Sequence, residues 1–268
     1  VSLGGDALCA PIYRSISMNF RILFATILAI LMLSMPLSAS AAEDSLTPLQ
    51  IEEVESIIEE YLVDNPEILI RAMNAYRAKQ KRADMERQAR ILAHMDKELR
   101  HNPNSPVAGN PQGDITIVEF FDYRCQYCKM VLPMIKKLLE ADSNIRVVFK
   151  ELPILGPDSV IASQAAIAVW KFAPEKYMRF HIAMMNSRGK VTEKKVFRLA
   201  DDIGVDSDKL RQWLKDPAIE KELASTSRIA EALGISGTPA FVIGDQVVPG
   251  AIDEETLNQM VAELRRNK

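Results

Sequence analysis

The sequence predicts an α/β domain with a helical insertion, preceded by an all-helical arm. An apolar, β-branched run over residues 115–121 is followed by an amphipathic helix and by a second strand pattern at 145–150. Residues 157–233 carry only helical patterns, and two short apolar runs near the end are separated by Gly244-Asp245, as in a hairpin. The predicted element order is therefore βαβ, helical insertion, ββα.

Residues 1–42 are predicted to be a leader that contains a secretory signal peptide over 19–42. A positive residue precedes an apolar run over 22–33, and small residues suited to signal peptidase follow. The alternative is a membrane anchor, but the run is shorter than the roughly 20 apolar residues that span a bilayer. We therefore expect export, with cleavage near Ala41 or Ala42.

Residues 43–101 are predicted to form a helical arm. Thr47-Pro48 suits a helix start, because threonine can cap a helix and proline fits its first position. Asp64-Asn65-Pro66 should end this helix and start a second one. Apolar residues recur along one stripe: Ile51, Val54, Ile57, Ile58, Tyr61, Leu62, Ile68, Leu69, Ala72, Met73 and Tyr76. The stripe must bury either against the chain's own second domain or against other copies of the chain.

Asparagine, proline and glycine residues over 102–111 predict a boundary, so the second domain is expected over 102–268. Its first two strands should be parallel, because a helix connects them in an ordinary crossover. Pro133 lies inside that helix and should kink it. After the insertion, the hairpin is expected over 240–248, and a final helix should open at Asp253 or the residue after it.

Two cysteines in the stretch Cys125-Gln126-Tyr127-Cys128 lie at the predicted start of the first helix of this domain. Unpaired backbone N–H groups and the helix dipole favour an anion at the first sulfur. Cys125 is therefore expected to be the nucleophile, and Cys128, one turn further in, to resolve mixed disulfides. Zinc is the alternative, but it needs about four ligands, and Cys9 lies in the predicted leader. The pattern favours redox chemistry, with no metal and no cofactor beyond the Cys125–Cys128 disulfide.

The composition excludes some classes of function. A net charge of −3 with 26 % charged residues offers no argument for nucleic-acid binding. A hydrophobic fraction of 48 % is ample for a core. Loss of the leader would leave two close cysteines, so disulfides do not serve as a scaffold in the mature chain.

Several motifs resemble the DsbA-type branch of the thioredoxin superfamily. They are Val118-Glu119-Phe120-Phe121-Asp122-Tyr123, Cys125-Gln126-Tyr127-Cys128-Lys129-Met130 with Pro133, Glu151-Leu152-Pro153-Ile154-Leu155-Gly156 and Gly237-Thr238-Pro239-Ala240-Phe241. The resemblance covers roughly residues 107–268 and implies a thioredoxin-like fold with a helical insertion. The arm is similar to the N-terminal region of ScsC-like and oligomeric DsbA-like proteins. This similarity favours self-association of the arm, as a dimer or a trimer.

Glu119 lies in a strand that is otherwise filled with apolar side chains. A buried carboxylate is costly unless it is paired, so the pKa of Glu119 should rise. The resemblance implies that Glu119 relays a proton to or from Cys128. Lys150, at the end of the neighbouring strand, is the expected partner of Glu119. The alternative is that Glu119 points outward at a strand edge.

The resemblance also implies a substrate-binding surface beside the cysteines. It places Pro239 opposite the cysteine pair, after a cis peptide bond, although an ordinary trans turn is the alternative. The backbone of Thr238 would then pair with a substrate strand. Gln126 and Tyr127 are neutral and are expected to act through packing and hydrogen bonding, as part of the same surface.

The function that the resemblance implies is that of a periplasmic thiol–disulfide oxidoreductase. Its substrates would be exported proteins that contain cysteine, and a membrane redox partner would recharge it. Thr238 before the proline resembles isomerase and ScsC-like members, which favours an oligomeric disulfide isomerase or reductase. One alternative is a monomeric DsbA-like dithiol oxidase whose arm packs on its own domain. Another is a copper-binding protein, since a reduced thiol pair suits Cu(I).

Overall fold

The computed structural model describes residues 46–267, so the predicted leader and its cleavage site lie outside the described residues. This part of the chain has nine α-helices and five β-strands. In chain order they are α1 (Pro48–Asp64), α2 (Glu67–Arg100), β1 (Val107–Gly109), β2 (Ile115–Phe121), α3 (Gln126–Ala141), β3 (Ile145–Glu151), α4 (Pro157–Phe172), α5 (Tyr177–Met185), α6 (Glu193–Asp202), α7 (Ser207–Trp213), α8 (Pro217–Ala232), β4 (Ala240–Ile243), β5 (Gln246–Pro249) and α9 (Glu254–Arg266).

The strands of the described chain form one mixed sheet in the order β1-β3-β2-β4-β5. β2 and β3 are parallel, as the crossover predicts, with Glu119 level with Phe149 and Phe120 level with Lys150. β4 runs antiparallel to both β2 and β5, which confirms the predicted hairpin. β1, which the sequence analysis missed, runs antiparallel to β3 at the edge of the sheet.

Each strand sends alternate side chains to opposite faces of the sheet. Ile117 and Phe121 lie in the core that α3 and the helical insertion form, and we call this side the α3 face. Val118 and Phe120 lie in a second core that includes the C-terminal part of α2, and we call this side the α2 face. The sheet therefore separates two cores of different composition.

The helix α2 belongs partly to the second domain, which differs from the prediction. The sequence assigned all of residues 43–101 to the arm, whereas the compact units of the structure divide between Leu69 and Ile70. Leu92 and Leu99 are buried in the core of the α2 face. They are seven residues apart, about two helical turns, so both lie on the same side of α2. The structure thus moves the boundary from residue 102 to about residue 70.

The first unit is described by α1 and the turn that follows it. Thr47 caps the helix in a capping box, in which the Gln50 amide donates to Thr47 Oγ1 at 3.4 Å and the Thr47 amide donates to Gln50 Oε1 at 2.9 Å. The helix ends at Asn65, as predicted. Among the described residues, α1 has no buried side chain, and Leu49 and Tyr61 are 76 % and 58 % exposed. Most side chains of its apolar stripe are therefore exposed, and Leu62 is half-buried.

The remaining elements agree with the sequence analysis. Helices α4 to α8 fill the segment between β3 and β4, so the helical insertion is confirmed. Pro133 lies within α3. The final helix α9 begins after Asp253, whose carboxylate accepts from the Thr256 amide at 2.7 Å.

Candidate redox site

Cys125 is the N-cap residue of α3, where the predicted helix start places it. Its sulfur accepts a hydrogen bond from the Cys128 amide at 3.4 Å, so an unpaired donor of the first helical turn points at the sulfur. Cys125 is 6 % exposed and Cys128 is 0 % exposed. Both cysteines are buried in this state, and Cys125 is the more exposed of the two.

Thr238 and Pro239 lie against this sulfur. The peptide bond between them is cis, and Cys125 Sγ lies 3.2 Å from the Thr238 carbonyl oxygen. Thr238 is half-buried, while Ser236 and Gly237 before it are exposed. The loop before β4 therefore presents accessible backbone immediately beside the sulfur of Cys125.

Two residues of the Cys-X-X-Cys stretch are open to solvent. Gln126 is exposed, and Tyr127 is 62 % exposed. Met130, on the next turn of α3, is 70 % exposed. These exposed side chains lie on the first turns of α3, directly after Cys125 in the chain.

The two positively charged residues next to the cysteines, Arg124 and Lys129, donate hydrogen bonds to backbone carbonyl oxygens of other segments. The Arg124 guanidinium donates to the Leu155 carbonyl oxygen. The Lys129 ammonium donates to the Ser187 carbonyl oxygen at 2.7 Å. Burial, with Lys195 nearby, lowers the pKa of Lys129. Both side chains thus tie the start of α3 to neighbouring segments.

Cys128 is held as a neutral thiol by its surroundings. Burial is the main cause that raises the pKa of the Cys128 thiol, and a backbone hydrogen bond from Asp122 opposes it. The neighbouring Cys125 and Glu119 raise the pKa of Cys128 further. The two cysteines therefore differ: Cys125 lies at the helix start and is the more exposed one, and Cys128 keeps its proton until another group removes it.

Glu119 lies beneath the cysteines on the α3 face of the sheet. It follows Ile117 by two residues on β2 and is 3 % exposed. Burial raises the pKa of Glu119 from 4.5 to about 8. At neutral pH Glu119 is therefore mostly protonated. When Glu119 is ionised, its negative charge raises the pKa of the Cys128 thiol. This geometry suits a group that holds a proton for Cys128.

Lys150 is not the partner of Glu119, and the predicted pair is wrong. Lys150 is level with Phe120, so it points to the α2 face while Glu119 points to the α3 face. The Lys150 ammonium donates to the Glu98 carbonyl oxygen and to Ser105 Oγ, both at 2.7 Å. It also lies 3.7 Å from Glu222 Oε1. Lys150 therefore fastens the end of α2 to the sheet.

A second buried acid, Glu151, was not predicted as a site residue. It lies two residues after Phe149 on β3, so it shares the α3 face with Glu119, and it is 2 % exposed. Burial, with smaller contributions from Asp122 and Glu119, raises the pKa of Glu151 well above its ordinary range. The two-residue period from Phe149 was the signal that could have found this residue.

Glu151 is linked to a buried aromatic cluster. The Tyr123 hydroxyl lies 3.4 Å from Glu151 Oε1 and 3.1 Å from His181 Nδ1. Burial lowers the pKa of His181 to about 3, so the imidazole is neutral. His181 packs edge-on against Phe121 and lies 4.6 Å, centroid to centroid, from Phe149. His181 is thus a helix residue of the insertion, as predicted.

Asp122 shapes the turn that carries Cys125. Its Oδ1 accepts from the Arg124 amide at 2.7 Å and from Ser159 Oγ at 2.8 Å, and its Oδ2 accepts from the Leu155 amide at 3.0 Å. The Asp122 carbonyl oxygen accepts from the Cys125 amide at 3.0 Å. Asp122 thus joins the end of β2 to the start of α4 through its carboxylate and holds Cys125 through its backbone carbonyl.

Residues 116–262 match the family described as DSBA-like thioredoxin domain. The chain belongs to this family. Residues 50–83 match a second family, described as copper resistance protein ScsC N-terminal domain. The DSBA-like match contains Glu119, Cys125, Cys128 and Pro239, so the site lies in the family's thioredoxin domain. The match to the ScsC N-terminal domain contains most of α1 and the first part of α2.

Similar proteins agree with both assignments. A linker-deletion mutant of ScsC from Proteus mirabilis is 31 % identical, with 85 % of this chain and 100 % of that chain covered and a TM-score of 0.66. A periplasmic thioredoxin-like protein from Salmonella enterica serovar Typhimurium is 30 % identical, with 63 % of this chain and 94 % of that chain covered and a TM-score of 0.59. The thiol:disulfide interchange protein DsbA of Bordetella pertussis is 26 % identical over 56 % of this chain and 73 % of its own length.

Two curated relatives are much longer than the matched region. They are the Na⁺/H⁺ antiporters NhaA 1 of Salinispora arenicola and NhaA 3 of Salinispora tropica, which are 27 % and 26 % identical. The chain spans 24 % of the length of each. Within residues 46–267, no helix has the length and apolar character that crossing a membrane requires.

Proposed function

We propose that this DSBA-like protein is a thiol–disulfide oxidoreductase that acts on protein disulfides, as an isomerase or a reductase. The observation that carries the proposal is the placement of Cys125. Its sulfur lies at the start of α3, 3.2 Å from the Thr238 carbonyl oxygen. Cys128 and Glu119 are buried behind it. A sulfur at a helix start, a second thiol to resolve the mixed disulfide and an acid that can hold a proton together suit thiol–disulfide exchange.

The first step is attack by the Cys125 thiolate on a substrate disulfide. A new S–S bond forms between Cys125 and one substrate sulfur, the substrate S–S bond breaks, and the other substrate sulfur leaves as a thiolate. The amide of Cys128, which already donates to the sulfur of Cys125, stabilises the attacking anion. The substrate backbone next to the attacked cysteine would lie along the exposed loop before Thr238.

The second step decides between isomerisation and reduction. In isomerisation, a substrate thiolate attacks the substrate sulfur that is bonded to Cys125. A new substrate disulfide forms, and Cys125 leaves as a thiolate with no net change in the protein. In reduction, Cys128 loses its proton and attacks Cys125 Sγ, so the Cys125–Cys128 disulfide forms and the reduced substrate leaves. The buried, neutral thiol of Cys128 delays this attack, which gives the substrate time to rearrange.

Self-association through α1 is part of the proposal. The apolar side chains Ile57 and Tyr61 lie one turn apart and are 59 % and 58 % exposed. A helix with an uncovered apolar stripe gains stability when the stripe packs against another copy. The match of residues 50–83 to the ScsC N-terminal domain supports a dimer or a trimer through this segment. Several active sites on one assembly would then meet a common substrate.

The leader and one relative support a periplasmic setting. Residues 19–42 have the layout of a secretory signal, and the similar Salmonella protein is described as periplasmic. The substrates would be exported proteins that contain cysteine. An exported enzyme that is oxidised by its substrates needs electrons from across the membrane, so its recharging partner would be a membrane redox protein.

The test joins assembly to activity. The double variant Ile57→Glu with Tyr61→Glu should be monomeric, because two charges replace apolar side chains in the proposed interface. It should refold a protein with scrambled disulfides several-fold more slowly and exchange with glutathione disulfide at the normal rate. The control is Ser56→Glu, an exposed position between acidic residues of the same helix. Equal isomerase activity in monomer and oligomer would refute the role of α1.

A second assay, the oxidation of a reduced and unfolded protein, separates the proposal from a DsbA-like oxidase. The relatives named DsbA favour this second function for the same site. An oxidase would transfer the Cys125–Cys128 disulfide to a reduced, unfolded protein faster than it rearranges a scrambled one. Faster net oxidation in the wild-type oligomer would replace the isomerase proposal with that function.

Copper binding is a candidate because the family matched by residues 50–83 is described as a copper resistance protein domain. Cys125 and Cys128 are close, and reduced thiols suit Cu(I). Titration of the reduced protein with Cu(I), against the protein in which both cysteines are oxidised, measures this activity. One tightly bound ion that is lost on oxidation would establish a copper site at the cysteines.

A further inference from the structure

Two neighbouring cavities of the second unit share lining residues, and one of them includes the residues beside Cys125. The first, of about 790 Å³, lies between α2 and the segment after α8, and its lining includes Tyr76, Met85 and Gln88. The second, of about 340 Å³, includes Gln88, Thr238 and Pro239. Gln88 lines both cavities, as do two residues after α8, Leu233 and Gly234. We call this surface the α2 groove.

The walls of the α2 groove are chemically mixed. Tyr76 and Met85 are 64 % and 57 % exposed, so two large side chains of the groove face solvent. Arg77, Lys81 and Asp84 also line the groove. Methionine and tyrosine adapt to many apolar partners, while charged edges keep an open groove soluble. Such a surface fits an unfolded polypeptide of varied sequence better than a small molecule.

The dimensions of the groove agree with an extended segment. Tyr76 and Gln88 are twelve positions apart on α2, which corresponds to about 18 Å along the helix axis. An extended chain covers about 3.3–3.6 Å per residue, so this stretch holds roughly five residues. The second cavity continues the path to Thr238, whose carbonyl oxygen contacts Cys125 Sγ.

We infer that the α2 groove binds the substrate polypeptide on one side of the cysteine that Cys125 attacks. This inference rests on the proposed thiol–disulfide exchange. A substrate sulfur bonded to Cys125 must lie beside Thr238, and the chain that carries it leads over the exposed loop at Ser236 and Gly237 into the groove. The helix α2 therefore contributes a specificity surface for polypeptides.

The test compares a polypeptide with a small disulfide. The variant Met85→Glu places a charge in the groove, and Ala83→Glu places the same charge on the opposite side of α2, because two positions are about 200° apart on a helix. The measurement is the rate at which the reduced protein reacts with an unfolded polypeptide that carries one disulfide, and with glutathione disulfide, together with molar mass.

Met85→Glu should lower kcat/KM for the polypeptide about tenfold, which corresponds to about 1.4 kcal/mol. The change should lie in KM, and the rate with glutathione disulfide and the molar mass should not change. Ala83→Glu should behave as wild type in all three measurements. This readout needs only the first attack by Cys125, so it stands even if the protein proves to be an oxidase.

Three results would overturn the inference. If both variants react with the polypeptide at the wild-type rate, the groove does not contact the substrate. If Met85→Glu slows both disulfides equally, the effect lies in the redox site or the fold. If Met85→Glu changes the molar mass while the polypeptide rate stays normal, the groove is an interface between copies of the chain. A wild-type protein that reacts with neither disulfide would instead refute the proposed function itself.

Discussion

Replacing Glu119 with glutamine separates the two consequences of burying this acid. Burial raises the pKa of Glu119 from 4.5 to about 8, so the folded state binds a proton that the unfolded state releases. The stability that this proton contributes is fully present below pH 4.5 and is lost as the pH rises through 8. At about 1.4 kcal/mol per pKa unit, the loss is roughly 3 kcal/mol at pH 7 and 4–5 kcal/mol above pH 8.

Glu119→Gln should remove this pH dependence. Between pH 5 and pH 8 the wild-type protein should lose about 3–4 kcal/mol of unfolding free energy relative to the variant, because glutamine does not ionise. A buried amide without partners costs roughly 1–3 kcal/mol, which shifts the whole curve but not its slope. Urea unfolding of the reduced proteins at several pH values between 5 and 8 measures the slope.

The same variant should slow one redox step. When a thiolate attacks Cys125 in the Cys125–Cys128 disulfide, Cys128 leaves and needs a proton, which protonated Glu119 can supply. Without this acid the step should slow about 10²-fold near pH 7, the lower end of the range for general acid catalysis. Above pH 8 wild-type Glu119 is ionised, so the difference between the two proteins should shrink. Rapid quenching with a small thiol as reductant measures the rate.

Glu151→Gln is the matched control. Glu151 is a buried acid on the same face, so its replacement should also favour the folded state as the pH rises. Glu119 raises the pKa of Cys128, whereas Glu151 lies against the Tyr123 hydroxyl, so disulfide reduction should keep its rate in Glu151→Gln. Equal slowing in both variants, or a Glu119→Gln protein whose stability follows the wild-type pH curve, would refute the assignment of Glu119.

Two further substitutions test the α2 face. Lys150→Met removes the buried cation that lies 3.7 Å from Glu222, so it should destabilise the protein by about 3–5 kcal/mol, as urea unfolding would measure. The rate of exchange with glutathione disulfide should stay at the wild-type value. Leu99→Ala creates a cavity at a fully buried position and should cost about 2–5 kcal/mol in the same unfolding assay, whereas an arm helix that is free of the domain would tolerate the change.

The βαβ core and the cysteine site could be predicted because their signals are local. Ile115–Phe121 is β-branched and aromatic, and the helix after it has a clear apolar face with Cys125 at its cap. β1 has only three residues and no alternating pattern, so nothing in the sequence distinguishes it from the loop around it. Its strand character comes from pairing with β3.

The assignment of Lys150 failed for a reason that the sequence does not contain. Both central strands are buried on both faces and each carries charged side chains, so the sequence pattern does not show which residues face α3. The faces are set by the register, in which Glu119 is level with Phe149 and Phe120 is level with Lys150. A shift of one residue would have placed Lys150 on the side of Glu119. Register depends on packing between strands that are distant in the chain.

The boundary of the arm failed for a related reason. Apolar residues recur at helical spacing in α1 and again at Leu92 and Leu99, with a charged stretch between the two groups. The sequence does not show that Leu92 and Leu99 pack against the sheet. A stripe shows that a helix face is buried but not what covers it. Here the end of α2 is covered by the sheet, and the polar contacts of Lys150 with Glu98 and Ser105 fix it there.

The two faces of the sheet carry different groups of polar residues in the second unit. The α3 face holds Cys128, Glu119 and Glu151, whose burial keeps protons within reach of the disulfide. The α2 face holds Lys150 and the end of α2 in a network of charges and carbonyl oxygens. Changes on the α2 face should therefore alter stability and the binding of polypeptides, but not the proton chemistry of the cysteines. Side chains on opposite faces are separated by the backbone layer of the sheet itself, so the surface that binds substrates can vary while the redox site stays the same.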